Sequence, residues 1–254
     1  MTISFDGGNI IDVTRTAVRQ GRHGVPRGGP CDPLAAELAV RLVGTSTVYE
    51  ITMIGPRVTA NMACSYAYVG ADCELHNGHT GELRAGESIR LGALRNGARG
   101  YLSVGPAMAE RGVLRGPLPW LDSGPVRALC GPHGMQFADL CARRWTVATA
   151  SNRMGLRLTG QALASQQEIR SYGMVGGAIQ VPPSGEPIVL MPDHGTTGGY
   201  PVVAVIISAD LPKLAYLRPG DNVWITGVSL DEANEAYAKR MQWVASAVIF
   251  PTRW

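Results

Sequence analysis

The sequence has no hydrophobic run long enough to cross a bilayer and no long run of lysines or arginines. Its longest apolar stretches, such as 202–207, are the length of a strand, and its first six residues do not resemble a secretory signal. The net charge of +3 is spread along the chain, and nearly all of the basic residues are arginines. These absences predict a cytoplasmic protein with neither a membrane nor a nucleic acid among its partners.

Metal and cofactor signatures are missing as well. The five cysteines are odd in number and none forms a C-x-x-C pair, so neither a disulfide framework nor a zinc ribbon is expected. His76 and His79 have a spacing that suits a metal, but they lie around an Asn-Gly turn without a third ligand nearby, and we expect no metal site. The phosphate-binding pattern GxxxxGK[ST] and the biotin-carrier pattern Ala-Met-Lys-Met are both absent. Any ATP or biotin would therefore have to be bound by a partner chain.

Short strands dominate what is present. With 254 residues, 45% of them apolar, the chain can form one large or two small packed domains. β-branched or aromatic segments separated by Gly, Pro and Asn predict strands at 9–16, 49–54, 58–60, 66–69, 88–91, 101–104, 179–181, 188–191, 202–207 and 248–250. Strands this short and this closely spaced are typical of an all-β sandwich or barrel.

Two helices are predicted from their capping residues. Asp32 can cap a helix at 33–43 that begins with a proline and ends at Gly44, with leucines recurring at every fourth position. Ser229 and Glu232 form a capping box, which predicts a second helix from there to about residue 246.

The second half of the chain repeats part of the first. LRAGESIRLGAL at 83–94 matches LRPGDNVWITGV at 217–228 with an offset of 134 residues, and 50–60 matches 153–163 more loosely with an offset of about 105. The difference predicts an insertion of roughly 29 residues in the second copy. We therefore expect two domains, 1–120 and 121–254, joined near the proline-rich stretch at 117–125.

The predicted insertion carries a polar loop within the Gly- and Pro-rich stretch 176–201. Its residues 193–200 read DHGTTGGY, which places an acid, an imidazole and two hydroxyls within five positions. This is more chemistry than a turn requires, so a functional loop is predicted. The alternative is a glycine-rich hairpin in which His194 and the threonines only satisfy local backbone groups.

Four segments resemble one known family in order: SNRMGLRLTG at 151–160, SYGMVGGAIQVPPSGEPIVL at 171–190, DHGTTGGYP at 193–201 and LRPGD at 217–221. The family contains the C subunit of 5-oxoprolinase, the KipA protein and the carboxyltransferase domain of urea amidolyase. Members look like two fused cyclophilin-type barrels. The resemblance thus implies an all-β fold of two tandem cyclophilin-like β-barrels with a few short helices, the second barrel carrying the DHGTTGGYP loop.

Candidate site residues follow from the side-chain types and the resemblance together. His194 is the predicted general base, because histidine is the residue type whose unperturbed pKa lies near neutrality, and Asp193 and Arg153 are the other catalytic candidates. For the arginines, structural pairing with Asp193 or Glu168 stays open. The substrate-binding candidates, expected to line a cleft between the barrels, are Thr196, Thr197, Gly198, Gly199, Tyr200, Gln180, Arg157, Arg22 and Asp32.

The resemblance implies an enzyme subunit similar to the C subunit of 5-oxoprolinase or to a biotin-dependent carboxyltransferase. It would act on an amide, lactam or urea-type small molecule beside a partner like the B subunit of 5-oxoprolinase or KipI. The chain departs from the family at Gly195 and Tyr216, where the family prefers glutamine, and it is several tens of residues shorter between 104 and 125. Two alternatives stay open: a KipA-like regulatory binding module, or a repurposed barrel catalysing a different step in a specialised biosynthetic pathway.

Overall fold

The computed structural model describes residues 2–14, 20–107, 111–121, 124–164 and 168–250. The chain forms two compact units, of which unit 1 comprises 1–15, 32–121 and 241–254, and unit 2 comprises 16–31 and 122–240. The halves of the chain thus divide between residues 121 and 122, while 16–31 and 241–254 each group with the other half. Within the described ranges, no helix combines the length and the apolar character needed to cross a membrane.

The described chain is mostly β with a few helices, as predicted. Unit 1 contains helix α1 (Pro33–Val43) and strands β1 (Ile3–Asp6), β2 (Ile10–Asp12), β3 (Val48–Thr52), β4 (Ile54–Ala60), β5 (Cys64–Gly70), β6 (His79–Leu83), β7 (Ser88–Ala93), β8 (Arg99–Pro106) and β9 (Val113–Leu114). Unit 2 contains strands β10 (Val126–Cys130), β11 (Arg144–Val147), β12 (Gly155–Thr159), β13 (Tyr172–Gly173), β14 (Ala178–Gln180), β15 (Ile188–Leu190), β16 (Thr197–Gly198), β17 (Val202–Ile206) and β18 (Asn222–Gly227), with helices α2 (Phe137–Ala142) and α3 (Leu211–Leu214). Helix α4 (Leu230–Ser246) is divided between the units after residue 240, and strand β19 (Val248–Ile249) follows it in unit 1.

The described residues of unit 1 form two larger antiparallel sheets, a two-stranded sheet of β9 and β19, helix α1 and the end of α4. The three-stranded sheet has the order β1-β4-β7 and the five-stranded sheet the order β2-β3-β8-β5-β6. Helix α1 contacts β8 and β5 of the larger sheet. Leu38 and Leu42 of this helix are fully buried, as the leucine spacing predicted.

The bounds of α1 are those predicted from its caps. The Asp32 carboxylate accepts the backbone N–H groups of Leu34 and Ala35, which would otherwise lack partners in the first helical turn. Gly44 ends the helix with a φ of 60°, a left-handed conformation that glycine adopts without steric cost. The predicted helix at 33–43 is confirmed.

A buried polar network connects this helix to strands β3 and β8. Arg99 Nε donates to Glu50 Oε1 at 3.2 Å and the Tyr101 hydroxyl donates to Glu50 Oε2 at 3.0 Å. The same hydroxyl accepts the backbone N–H of Asp32 at 2.7 Å, and the Trp120 indole N–H donates to Asp32 Oδ2 at 2.6 Å. Glu50 is 0% and Arg99 6% exposed. Charges this deeply buried are tolerated because they are paired and hydrogen-bonded.

Unit 2 contains a closed barrel with the strand order β10-β17-β14-β15-β12-β11-β18. The closing pair, β10 and β18, is parallel, and the other neighbours are antiparallel. The register partners Ile179, Val189 and Ala204 are fully buried. This confirms the barrel predicted for the second half, and closure satisfies the backbone groups that a sheet edge would leave unpaired.

The stronger of the two predicted repeats is confirmed. Strands β7 and β18 lie 134 residues apart, as 222 minus 88 gives, and the same turn precedes each. In the first turn the Arg84 N–H donates to the Glu87 carboxylate at 2.8 Å, and in the second the Arg218 N–H donates to the Asp221 carboxylate at 2.7 Å. The turn glycines have φ values of 87° and 92°. A positive φ explains why glycine stands at the same place in both copies.

The looser repeat was predicted in the wrong register. Beside the two equivalent turns, the Gly86 N–H donates to the Ala60 carbonyl and the Gly220 N–H donates to the Val147 carbonyl. Strand β4 therefore corresponds to β11, at an offset of 87 (147 minus 60), and not to 153–163. The second copy is then 47 residues longer between these strands (134 minus 87) rather than roughly 29. The backbone hydrogen bonds show which strands of the two copies are equivalent, and a short sequence similarity does not contain that information.

Several strand predictions also need correction. Strands β1, β6, β9, β10, β11, β12, β13 and β16 were not predicted, and His79 begins β6 instead of lying in a turn. The predicted strand at 49–54 is broken at Met53, whose φ of 62° separates β3 from β4. Of the predicted strand at 9–16, the structure contains β2, and residues 15 and 16 lie outside the described residues.

Helix α4 and the strand after it are confirmed. The Glu232 N–H donates to Ser229 Oγ at 3.3 Å and the Ser229 N–H donates to the Glu232 carboxylate at 2.7 Å, which is the predicted capping box. At the other end of the helix, the Arg41 guanidinium donates to the Val244 and Ala245 carbonyls. Strand β19 then pairs antiparallel with β9. The segment 241–249 is thus joined to the rest of unit 1 by these backbone hydrogen bonds and by the Arg41 side chain.

Candidate functional site

The DHGTTGGYP loop connects β15 to β17, and hydrogen bonds fix both of its ends. At the start, the Asp193 N–H donates to the Arg153 carbonyl at 2.9 Å and the His194 N–H donates to the Met191 carbonyl at 3.0 Å. At the end, the Val181 N–H donates to the Pro201 carbonyl at 3.0 Å. The loop is therefore held by its own barrel strands and not only by its turn residues.

The middle of the loop is part of a two-stranded ribbon. Strand β16 pairs antiparallel with β13, and the ribbon is extended because the Met174 N–H donates to the Thr196 carbonyl and the Ile169 N–H donates to the Gly199 carbonyl. Tyr172 and Met174 pack against a buried cluster formed by Ala178, Leu190 and Val202. Apolar contact with the barrel thus supports the ribbon from one side.

Gln180 contacts the backbone of this loop. Its side chain is 6% exposed, and Nε2 donates to the Tyr200 carbonyl at 3.3 Å. A Cβ atom added to Gly198 would lie 2.6 Å from the same nitrogen, so a larger residue there would require the Gln180 side chain to shift. Gly198 thus packs directly on the Gln180 side chain, and the hydrogen bond from Gln180 to Tyr200 holds the end of the loop.

Arg153 and Asp193 form a bidentate ion pair. Arg153 Nε donates to Asp193 Oδ2 at 2.8 Å and Nη2 donates to Oδ1 at 3.0 Å. Nη2 also donates to the Gly29 carbonyl at 2.6 Å, and Nη1 donates to the Cys31 sulfur at 3.4 Å. This is the pairing that the sequence left open as the structural alternative for Arg153.

A basic segment of the chain, residues 20–31, lies beside the loop. The Gly28 N–H donates to the Pro192 carbonyl at 3.1 Å, and a Cβ atom on Gly21 would lie 3.9 Å from Thr196 Cγ2. Arg22 and Arg27 are exposed on this segment. Arg22 was predicted to belong to the first barrel, but it groups with unit 2, and Gly21 and Gly28 of the same segment contact the loop. The segment that contacts the loop therefore carries two exposed arginines, Arg22 and Arg27.

His194 is held in one tautomer. Its Nδ1–H donates to the Gly195 carbonyl at 2.7 Å, since a carbonyl oxygen can only accept. In the neutral ring the proton is then on Nδ1, and Nε2 is the basic nitrogen. His194, Thr196 and Tyr200 are half-buried and Thr197 is exposed, so these side chains are not part of an apolar core.

Two predicted substrate-binding residues lie elsewhere. Asp32 belongs to unit 1 and is 0% exposed, with both carboxylate oxygens used for the α1 cap and the Trp120 indole. Its predicted contact with substrate is corrected to a structural one, because no face of the carboxylate reaches solvent. Arg157 is exposed on β12, between the buried Leu156 and Leu158.

Sequence reasoning missed a polar group beside the ribbon. The Tyr172 hydroxyl is buried and has no hydrogen-bond partner among the described residues, and burial raises the pKa of Tyr172. The Tyr172 ring lies 5.9 Å from the ring of His133, whose Nδ1 accepts the Val202 N–H at 3.2 Å. The CGPH motif at 130–133 was a signal for His133, whereas nothing in the sequence marks the hydroxyl of Tyr172.

We expect Tyr172→Phe to raise the free energy of unfolding by about 1 kcal/mol, since a buried hydroxyl without a partner loses its hydration on folding and gains nothing in return. Tyr68→Phe is the matched control, because the buried Tyr68 hydroxyl donates to the Ala71 carbonyl and its removal should lower stability by a similar amount. Urea denaturation measures both. A loss of stability in both variants would contradict the prediction.

No group of three or more His, Cys, Asp or Glu side chains that could hold a metal ion occurs in the part of the chain that the structure describes. His79 instead shares a hydrogen bond of 3.2 Å with the Tyr66 hydroxyl, and partial burial, followed by the charge of His76, lowers the pKa of His79. His79 therefore packs on Tyr66 of β5.

The sequence matches the family model described as "Carboxyltransferase domain, subdomain A and B" over residues 23–116 and 108–226. The two matches meet at 108–116, within the stretch 104–125 that the sequence predicts to be shortened.

Curated relatives agree with the family match. The C subunit of 5-oxoprolinase from Escherichia coli strain K12 is 31% identical over 288 aligned residues, which cover 88% of this chain and 93% of that protein. The corresponding 5-oxoprolinase protein of Haemophilus influenzae is 45% identical over 106 residues, covering 39% of this chain and 34% of that protein. The urea amidolyase of Lachancea kluyveri is 23% identical, with 91% of this chain and 18% of that protein covered.

Solved structures share the fold. TTHA0988 superposes with a TM-score of 0.80 at 28% identity, covering 89% of this chain and 55% of that one. The K. lactis urea amidolyase superposes with a TM-score of 0.75 at 21% identity, covering 96% of this chain and 20% of that one, and this likeness concerns the fold alone. The chain thus spans about half of the length of TTHA0988.

Proposed function

Because the chain belongs to the family of the carboxyltransferase domain with subdomains A and B, we propose that it is an enzyme subunit acting on a lactam, amide or urea-type small molecule. A second protein, like KipI or the B subunit of 5-oxoprolinase, would work beside it. The similarity to the C subunit of 5-oxoprolinase over 88% of this chain supports a lactam, ahead of other amides and urea, as the substrate.

The observation that carries the proposal is the basic Nε2 of His194. The Gly195 carbonyl fixes the tautomer, and the loop around the imidazole is anchored at both ends. An amide nitrogen is a poor nucleophile until a base removes its proton, and a lactam carbonyl is a poor electrophile until negative charge on its oxygen is stabilised. A base with a fixed orientation meets the first requirement.

Cationic groups on the segment that borders the loop, and hydroxyl groups within the loop, would meet the second. Arg22 and Arg27 lie on the segment that borders the loop, and a guanidinium stabilises a developing oxyanion or a carboxylate through charge and N–H donation. Thr196, Thr197 and Tyr200 carry hydroxyls that can orient the substrate. The carbonyl of Gly199, the residue before Tyr200, accepts the Ile169 N–H.

ATP or biotin chemistry, if the reaction uses it, belongs to the partner in this proposal, because the sequence contains neither a phosphate-binding loop nor a biotin-carrier motif. The contribution of this chain is to bind and orient the amide and to hold its proton at His194.

Reconstitution tests the proposed function. The chain and a partner protein of the KipI type, encoded beside it or taken from a relative, are co-purified and assayed for ATP hydrolysis that depends on 5-oxoproline, other lactams or urea. We expect turnover from the pair and none from either chain alone. Absence of turnover with every lactam, amide and urea, while the chain alone binds a small molecule, would reject the enzyme-subunit proposal.

A repurposed barrel is the second candidate. The two family matches overlap over 108–116, in the stretch that the sequence predicts to be shortened. This shortening favours the second candidate. In that case the chain would transform its substrate without ATP or biotin and without the partner protein. Turnover by the purified chain alone would favour it over the first proposal.

A further inference from the structure

The Arg153 guanidinium donates from all three of its nitrogens. Nε and Nη2 hold the two oxygens of Asp193, Nη2 also holds the Gly29 carbonyl, and Nη1 holds the Cys31 sulfur. An arginine that binds a carboxylate as a fork uses two N–H groups in one plane. Asp193 occupies that fork, so a carboxylate of the substrate has no equivalent place on Arg153.

The contacts of Arg153 join two distant parts of the sequence. Asp193 follows it by 40 residues and Gly29 precedes it by 124. The Gly28 N–H adds a backbone hydrogen bond to Pro192 between the same two segments. The Arg153 side chain is 17% exposed and that of Asp193 32%, so solvent screens this pair less than a fully exposed one.

We infer that Arg153 and Asp193 are positioning residues, which hold the basic segment 20–31 against the DHGTTGGYP loop. They keep the segment that carries Arg22 and Arg27 against this loop and take no direct part in binding the substrate. The inference rests on the proposed function for its effect on turnover, but the contact between the two segments can be tested without any activity.

Hydrogen exchange followed by mass spectrometry measures that contact. We expect Arg153→Lys to speed exchange in peptides covering 24–31 and 191–200 by about tenfold. A lysine cannot bind both carboxylate oxygens of Asp193 as a fork, so these two segments should open more often. Asp193→Asn keeps the shape of the side chain and should act on the same peptides in the same direction. Agreement between the two variants also guards against a misfolded Arg153→Lys protein.

Arg143→Lys is the matched control. The Arg143 guanidinium also binds backbone carbonyls, those of Gln161 and Ala162, elsewhere in unit 2. This variant should change exchange near 161–162 and leave 24–31 unchanged. If Arg153→Lys and Asp193→Asn leave exchange at 24–31 as slow as in the wild type, the positioning role is rejected.

Kinetics then separate positioning from binding of a carboxylate. The pair reconstituted with the KipI-type partner is compared on 5-oxoproline and on pyrrolidin-2-one, the same lactam without its carboxylate. A positioning residue predicts that Arg153→Lys lowers kcat for both by a similar factor, up to about 100-fold, as expected when reacting groups are displaced by about 1 Å. A rise in KM confined to 5-oxoproline would overturn the inference. If the wild type turns over neither lactam, the proposed function fails and the exchange result alone decides the positioning role.

Discussion

Glu50→Gln should lower the free energy of unfolding by about 3–5 kcal/mol, because it leaves the Arg99 guanidinium buried opposite a neutral amide. Glu50 is 0% exposed, and its two carboxylate oxygens accept from Arg99 and Tyr101. The amide is close to the carboxylate in size, so the change removes charge and one acceptor without making a cavity. In a chain of this size the loss corresponds to a fall in Tm of about 6–20 °C.

Glu37→Gln is the control for this experiment. Glu37 pairs with Arg41 one helical turn away at 4.0 Å, and its side chain is 51% exposed. Surface pairs of this kind contribute about 0.3–0.5 kcal/mol, so the same substitution should have little effect there. Thermal and urea denaturation of both variants measure the difference. Equal stability of the two variants would show that the buried pair is not needed.

His194→Ala should reduce kcat/KM of the reconstituted pair by about 10²–10⁴, the usual effect of removing a general base. His194→Asn is the informative companion, because its amide can still donate to the Gly195 carbonyl but has no basic nitrogen. If Nε2 is the base, the asparagine variant is as inactive as the alanine variant. Recovery of activity with asparagine would assign His194 to the structure of the loop instead.

His76→Ala is the control for the histidine variants. His76 is exposed in unit 1, outside the loop and its contacts. Its removal should leave kcat/KM within about twofold of the wild type, since exposed surface changes rarely exceed about 0.5 kcal/mol. Initial rates at several substrate concentrations measure all three variants. A comparable loss in His76→Ala would mean that histidine removal acts through general instability.

Elements with local signals were predicted well from the sequence. Helix α1 has its capping aspartate, its first-turn proline and its terminal glycine within 13 positions, and α4 has its capping box. Each of these contacts joins residues that are close in sequence, so the pattern of residue types is enough to place the helix.

Elements that depend on distant pairing were predicted less well. Strand β6 reads HTGEL, which is not an apolar run, and it is a strand because it pairs with β5. The grouping of 16–31 with unit 2 depends on Gly28, Gly29 and Cys31, whose partners are more than 100 residues away. The loop itself was predicted, whereas the Arg153 contacts with this segment were not, because no local pattern encodes them.

The pairing of β9 with β19 has a consequence for the order of events during synthesis. Leu114 emerges from the ribosome 134 residues before its partner Val248 (248 minus 114), and Val113 emerges 136 residues before Ile249 (249 minus 113). At about 5–20 residues per second, this strand waits about 7–27 s with its backbone unpaired. Of the two units, unit 1 begins before unit 2 but is completed after it, and until then its strand β9 lacks its partner β19.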